Sequence, residues 1–181
     1  MFTGIVEYIS EIKISNDKVY LKNKFENVII GESIALNGIC LTVEKIINDD
    51  LVFSIGYETL SKTNIKNSKF INVERALKVG DRIGGSFVSG HIDGLLSFLG
   101  KNKINDSYAM KFSMPKEKWA IVEKGSITLN GINLTIAEKS LDTFTVQVIP
   151  HTFEITNLKE LKYGEKLNYE IDIFARYAGR N

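Results

Sequence analysis

One stretch of this chain occurs twice. Ser33-Ile34-Ala35-Leu36-Asn37-Gly38-Ile39-Cys40-Leu41-Thr42-Val43 returns as Ser126-Ile127-Thr128-Leu129-Asn130-Gly131-Ile132-Asn133-Leu134-Thr135-Ile136, with eight of eleven positions identical at an offset of 93. The same offset carries Thr59 onto Thr152, Thr63 onto Thr156 and Asn64 onto Asn157. Farther on, Ile71-Asn72-Val73-Glu74 matches Leu167-Asn168-Tyr169-Glu170 at an offset of 96, so three residues entered the second copy in between. The openings match more loosely, Thr3-Gly4-Ile5-Val6-Glu7 against Ser89-Gly90-His91-Ile92-Asp93. The repeated words are varied, which excludes low complexity. Self-similarity at a fixed spacing decides architecture before any single residue does, and 181 residues leave room for two small domains. The chain therefore reads as two copies of one module, residues 1–86 and 87–174, joined near residues 84–87 and followed by a short tail, 175–181.

Each copy reads as mostly strand. Val19, Leu21, Leu41-Thr42-Val43, Ile46-Ile47 and Leu51-Val52-Phe53 are short β-prone runs broken by Asn, Asp and Gly. Asn48-Asp49-Asp50 is a hairpin signal, and Ser140-Leu141-Asp142 stands at the matching place. Asn37-Gly38 and Asn130-Gly131 mark tight turns. Two short helices per copy are expected: one after Met114, with Pro115 in the first turn, and one after Tyr57 or Pro150. Many short strands in so small a module favour a closed barrel, which leaves no exposed strand edge.

The bulk numbers exclude several function classes. Basic and acidic residues balance, 23 against 22, with no basic block, so nucleic acid is not an expected partner. No apolar run reaches the roughly 18 residues a membrane helix needs, and the opening Met1-Phe2-Thr3-Gly4 lacks the pattern of a signal peptide. Cys40 is the only cysteine and there are two histidines, which argues against a disulfide or a metal site and favours a reducing, cytoplasmic setting.

The words Met1-Phe2-Thr3-Gly4-Ile5-Val6, Asn37-Gly38-Ile39-Cys40-Leu41-Thr42-Val43, Gly85-Ser86-Phe87-Val88-Ser89-Gly90-His91-Ile92-Asp93-Gly94 and Gly125-Ser126-Ile127-Thr128 resemble, in order and spacing, those of the riboflavin synthase family. That resemblance implies an all-β chain of two six-stranded Greek-key barrels. It implies a transferase reaction, the dismutation of two molecules of 6,7-dimethyl-8-ribityllumazine into riboflavin and 5-amino-6-ribitylaminouracil, without metal or organic cofactor. It also implies an active site between the N-terminal barrel of one subunit and the C-terminal barrel of a neighbour, in a homotrimer held by a longer C-terminal helix than the one expected from Phe174 to Asn181. A tandem repeat suits such chemistry, because two copies of one ligand need two similar pockets.

Candidate residues follow. A lone cysteine is most often a small buried residue, but the resemblance places Cys40 against the pteridine, together with Leu41 and Thr42. His91, within Gly90-His91-Ile92, is assigned a role beside the reacting atoms, since imidazoles exchange protons near neutrality. Asn133, the counterpart of Cys40, is the third catalytic candidate. The resemblance leads one to expect Asp and Ser where this chain has Asn130 and Asn133. Gly4, Ile5 and Val6 are expected to line the first pocket beside Ser54, Ile55, Gly56, Tyr57, Glu58 and Thr59. Leu134, Thr135, Gln147, Val148, Ile149, Pro150, His151 and Thr152 are expected to line the second, with Lys124 close by. His151 stands opposite Glu58 across the repeat and reads as pocket lining. The competing readings are a lumazine- or flavin-binding relative without turnover and, less specifically, a β-barrel interaction module.

Overall fold

The computed structural model describes residues 1–179. Twelve strands and three short helices follow one another in two matching sets. The first set is β1 (Tyr8–Ser15), β2 (Lys18–Lys22), β3 (Ser33–Leu36), β4 (Ile39–Ile47), β5 (Asp50–Ser54), α1 (Tyr57–Lys62) and β6 (Phe70–Arg75). The second is β7 (Gly94–Ile104), β8 (Ser107–Ser113), β9 (Ser126–Leu129), β10 (Ile132–Lys139), β11 (Thr143–Val148), α2 (Pro150–Ile155) and β12 (Lys166–Ile171), with α3 (Ile173–Ala178) behind it. Each set closes into an antiparallel barrel. The strand order is β1-β2-β5-β4-β3-β6 in the first and, strand for strand, β7-β8-β11-β10-β9-β12 in the second. Even the bulges correspond: the β4–β5 register slips between Val43 and Lys45, and β10–β11 slips 93 residues later, between Ile136 and Glu138.

Period-2 alternation sorts the side chains. On β4, Ile39, Leu41 and Val43 point into the barrel while Cys40, Thr42 and Glu44 face out. On β10, Ile132, Leu134 and Ile136 point in and Asn133, Thr135 and Glu138 lie on the outer side of the strand. The second core carries a row of aromatics, Phe98, Phe112 and Phe144, with neighbouring ring centroids 5.6 and 5.8 Å apart. The first core fills the matching positions with aliphatics such as Leu21 and Leu51.

Two details differ from expectation. The helix expected after Met114 is a single 3₁₀ turn, Lys118–Ala120, and Pro115 is buried ahead of it rather than opening a helix. The first copy has no helix at the corresponding place. The C-terminal helix is short, as read from the sequence, and Asp172 caps it by accepting from the Phe174 and Ala175 amides. The last two residues of the expected tail, 180 and 181, lie outside the described residues.

The copies are joined about an approximate two-fold axis. On it the turns Asn37-Gly38 and Asn130-Gly131 lie back to back, all four residues with positive φ (45° to 79°). A Cβ on Gly38 would stand 2.8 Å from the Gly131 nitrogen, and one on Gly131 would stand 2.7 Å from the Gly38 nitrogen, so only glycine lets the turns touch. Around them lie six buried asparagines, three pairs of repeat partners: Asn37 and Asn130, Asn64 and Asn157, Asn72 and Asn168. The bonds come in mirrored pairs. Asn64 N–H donates to Asn168 Oδ1 and Asn157 N–H to Asn72 Oδ1, both at 2.8 Å. Asn72 Nδ2 donates to the Asn130 carbonyl and Asn168 Nδ2 to the Asn37 carbonyl, both at 2.9 Å. A buried polar network of this kind adds stability only when its members are satisfied, as they are here.

Candidate functional site

Two arms cross this axis. Residues 2–7 lead into β1 of the first barrel but lie against the second. Gly4 accepts a hydrogen bond from the Asn133 amide (2.9 Å), and Val6 is buried in the second core. Residues 88–93 do the reverse: Gly90 accepts from the Cys40 amide (3.0 Å), and Ile92 packs on the first core. The arms also pair with each other through Phe2 and Val88, each donating to the other's carbonyl, at 2.8 and 3.0 Å. Contact is so close that a Cβ on Gly4 would fall 2.5 Å from Asn133 Cβ and a Cβ on Gly90 2.5 Å from Cys40 Cβ, and both glycines have positive φ.

Each arm is held by a carboxylate from β6 or β12. Glu74 accepts from the Thr3 amide (2.6 Å), the Thr3 hydroxyl (2.8 Å) and the Gly4 amide (3.1 Å). Glu170 accepts from the Ser89 amide (2.7 Å), the Ser89 hydroxyl (2.6 Å) and the Gly90 amide (3.0 Å). Burial pushes both carboxyls above their ordinary value, against the pull of these donors. The far end of each arm is fixed in matching fashion, Glu7 accepting from the Arg75 amide and Asp93 from the Ile171 amide. Asp93 also pairs with Arg176 of α3 at 2.6 Å.

This geometry gathers the candidates into two outward faces. The first has half-buried Cys40 and exposed Thr42 on β4, Ser54 and the Gly56–Thr59 turn into α1, and exposed His91 on the arm from the second copy. Lys18 donates to both Ser54 and Glu44 there. Tyr57 leaves most of its ring open to solvent (86%). The second has Asn133 and Thr135 on β10, then Gln147, Ile149, Pro150, His151 and Thr152 around the start of α2, with exposed Ile5 from the first copy's arm. Asn133 carries a buried side-chain oxygen with no hydrogen-bond partner among the described residues.

Two expectations are corrected in place. Gly4, Ile5 and Val6 belong with Asn133, on the second face, and not beside Ser54 to Thr59, because the arms cross. Leu41, Ile55, Leu134, Val148 and Val6 have their side chains in the cores, all 6% exposed or less, so they can offer a ligand only backbone groups. Lys124 adopts φ +65° where the first copy has Gly31, and its amide donates to Ile136, so its backbone closes a turn while its side chain is exposed. What sequence reasoning missed are Glu74, Glu170 and the asparagine network. Their signal was there, since polar residues recurring in both copies inside apolar strands mark buried interactions.

Two concavities also open on the chain. One of about 540 Å³ lies between the barrels, lined by Asn64, Lys69, Asn157 and Lys166 among others. The other, about 470 Å³, runs past Thr3, Ile5, Glu74 and Arg82. Neither contains Cys40, His91 or Asn133. The residue types of the two faces, and not hollow volume, single them out as candidates.

A model of the lumazine binding domain matches residues 3–76 and again 89–172. The chain is 36% identical to riboflavin synthase of Actinobacillus pleuropneumoniae, over 98% of this chain and 87% of that one, and 38% identical to that of Bacillus subtilis, over 99% and 89%. The chain belongs to the riboflavin synthase family. Among solved structures, LumP complexed with riboflavin superposes with a TM-score of 0.83 at 24% identity, covering 94% of this chain and 99% of that one, which bears on the fold. The two stretches that match the lumazine-binding model begin at the two arms, so for a riboflavin synthase family chain the arm is part of the module even though it docks on the other copy.

Proposed function

We propose that the chain is an enzyme that dismutates two molecules of 6,7-dimethyl-8-ribityllumazine, giving riboflavin and 5-amino-6-ribitylaminouracil. The observation that carries this reading is the pair of matched faces, each built from the outward side of a strand, a helix start and an arm of the other copy, within the riboflavin synthase family. Both faces offer backbone groups and threonine hydroxyls (Thr42, Thr135) suited to a flat heterocycle rich in donors and acceptors. The first adds Cys40 and His91, groups able to add to or exchange protons with a ring. The second has instead the unpartnered Asn133 oxygen, which suits holding one ligand in a fixed orientation.

In the reaction a four-carbon unit passes from one lumazine to the other. The ring delocalises the charge left when its methyl group loses a proton, so modest acid–base help suffices, and His91 is the group assigned to it. Holding two rings in register makes the encounter effectively unimolecular, an advantage of up to about 7–11 kcal/mol. Because each face is open, a second chain is proposed to cover it, so that a first face meets a second face across subunits in a homotrimer. The setting is proposed to be cytoplasmic; no helix among the described residues is long and apolar enough to cross a membrane.

Purified protein incubated with 6,7-dimethyl-8-ribityllumazine tests this. Riboflavin fluorescence that grows with time, two lumazines consumed per riboflavin formed, supports the enzyme. A static spectral shift identifies a binder without turnover, and no change at all removes the reading.

A further inference from the structure

We infer that Glu74 and Glu170 are positioning residues that act across the duplication: each carboxylate belongs to one barrel but sets the ligand face of the other. The inference rests on the proposed function for its consequence, and on the arm geometry for its substance.

Glu74 is a residue of β6 in the first barrel. Its two oxygens take the Thr3 amide, the Thr3 hydroxyl and the Gly4 amide, so the φ-positive turn at Gly4 is held from below by three donors converging on one group. The Gly4 carbonyl then points to the second barrel and receives the Asn133 amide. Residue Ile5, next along, lies exposed at the second face. Glu170 does the same from β12 for Ser89 and Gly90, whose carbonyl receives the Cys40 amide and whose successor is His91. In each arm the residue at the face follows directly on the clamped glycine, so loss of the clamp is felt one peptide away. Neither carboxylate reaches a face, and neither has a lysine or arginine partner among the described residues. A side chain of that kind, buried, acidic and spent entirely on one loop, is best explained by the loop's position.

The predicted pattern is crossed, which a general structural role would not produce. Glu74→Gln places an NH₂ against one of the donors it should accept. The Asn133 amide should then exchange with solvent at least about ten-fold faster while the Cys40 amide is unchanged, since a lost charge-assisted bond changes a local equilibrium by roughly that factor or more. Glu170→Gln should do the opposite. With riboflavin as the probe, amide shifts at Asn133–Thr135 should weaken in Glu74→Gln and those at Cys40–Thr42 in Glu170→Gln. In turnover, Glu170→Gln should lower kcat, because it displaces His91, while Glu74→Gln should chiefly raise KM.

The milder pair Thr3→Val and Thr3→Ser keeps the question open to refutation if the glutamine variants fail to fold. Valine should reproduce the Glu74 effect and serine, the residue of the second copy, should restore it. Faster exchange on the same barrel as the mutated carboxylate, equal loss at both amides, or no change in either would overturn the assignment. If riboflavin shifts neither face of the unaltered chain, the proposed function falls, while the exchange rates still decide the positioning role.

Discussion

The face around Cys40 and the face around Asn133 share a strand, a bulge, a helix start and a crossing arm, yet they present different chemistry. Position by position, Cys40 stands for Asn133, His91 for Ile5, Ser54 for Gln147 and Glu58 for His151. The residues between the copies do the reverse. Three asparagine pairs, the back-to-back glycines and the two arm-clamping glutamates are the same in both. Positions that must match a mirrored partner are alike, while several positions of the proposed ligand faces differ, although Thr42 and Thr135 are alike. In the proposed function one face carries groups able to react and the other a group able to hold, which suits a reaction between two identical molecules in unequal roles.

The comparison breaks most sharply at the arms. His91→Ala should slow riboflavin formation by about 10²–10⁴-fold, the usual contribution of a positioned acid or base, whereas Ile5→Ala should cost less than about ten-fold. Initial rates on both variants, with folding checked by circular dichroism, decide it, and equal losses would erase the distinction between a reacting and a holding face.

Next in size come the axial glycines. Gly38→Ala and Gly131→Ala each drive a methyl into the opposite turn at positive φ, and each should lose about 2–4 kcal/mol in urea unfolding. Gly31→Ala, also at positive φ but with nothing within 4 Å, should lose only about 1–2 kcal/mol. The asparagines follow. Asn72→Ala and Asn168→Ala leave matching groups unsatisfied and should cost about 1–3 kcal/mol each, by similar amounts, in the same unfolding measurement. Unequal costs would show that the axis is less symmetric in energy than in geometry.

The smallest effect is in pH. Glu74 and Glu170 are raised above their ordinary 4.5 by burial, aided by Glu7 and Asp93. Between 4.5 and the raised value the folded chain holds more protons than the unfolded one, so stability should fall as pH rises through that window and level off above it. Thermal melts of a Glu74→Gln, Glu170→Gln double variant should show this slope flattened. A slope unchanged by the double substitution would assign it to other carboxyls.

Much of this architecture was legible in the residues, for local reasons. The repeat gave the two barrels, the Asn-Gly and Asn-Asp pairs gave turns that need positive φ, and alternation on β4 and β10 gave the inward and outward sets. The candidate site was legible in composition but not in grouping. Gly4 to Val6 stand close in sequence to the first barrel and were assigned to it, because no local rule reports that an arm crosses to a neighbour. The weak match of Thr3–Glu7 to Ser89–Asp93 held the clue: an arm that reaches Cys40 in one copy must, by symmetry, reach Asn133 in the other. Leu41, Ile55, Leu134 and Val148 stand beside outward-facing candidates in the chain, but their own side chains turn inward.

The mirrored asparagines have a consequence for ancestry. The asparagine–asparagine and asparagine–backbone bonds across the axis come in mirrored pairs, so a single copy already contains both halves of the interface. Such a surface is isologous, and a protein consisting of one copy could associate with itself through it. That dimer would carry two identical faces, each roofed by the other's arm, and a substitution in one would necessarily appear in both. Joining the copies in one chain removed that constraint, letting a histidine be kept in one arm while the other carries isoleucine.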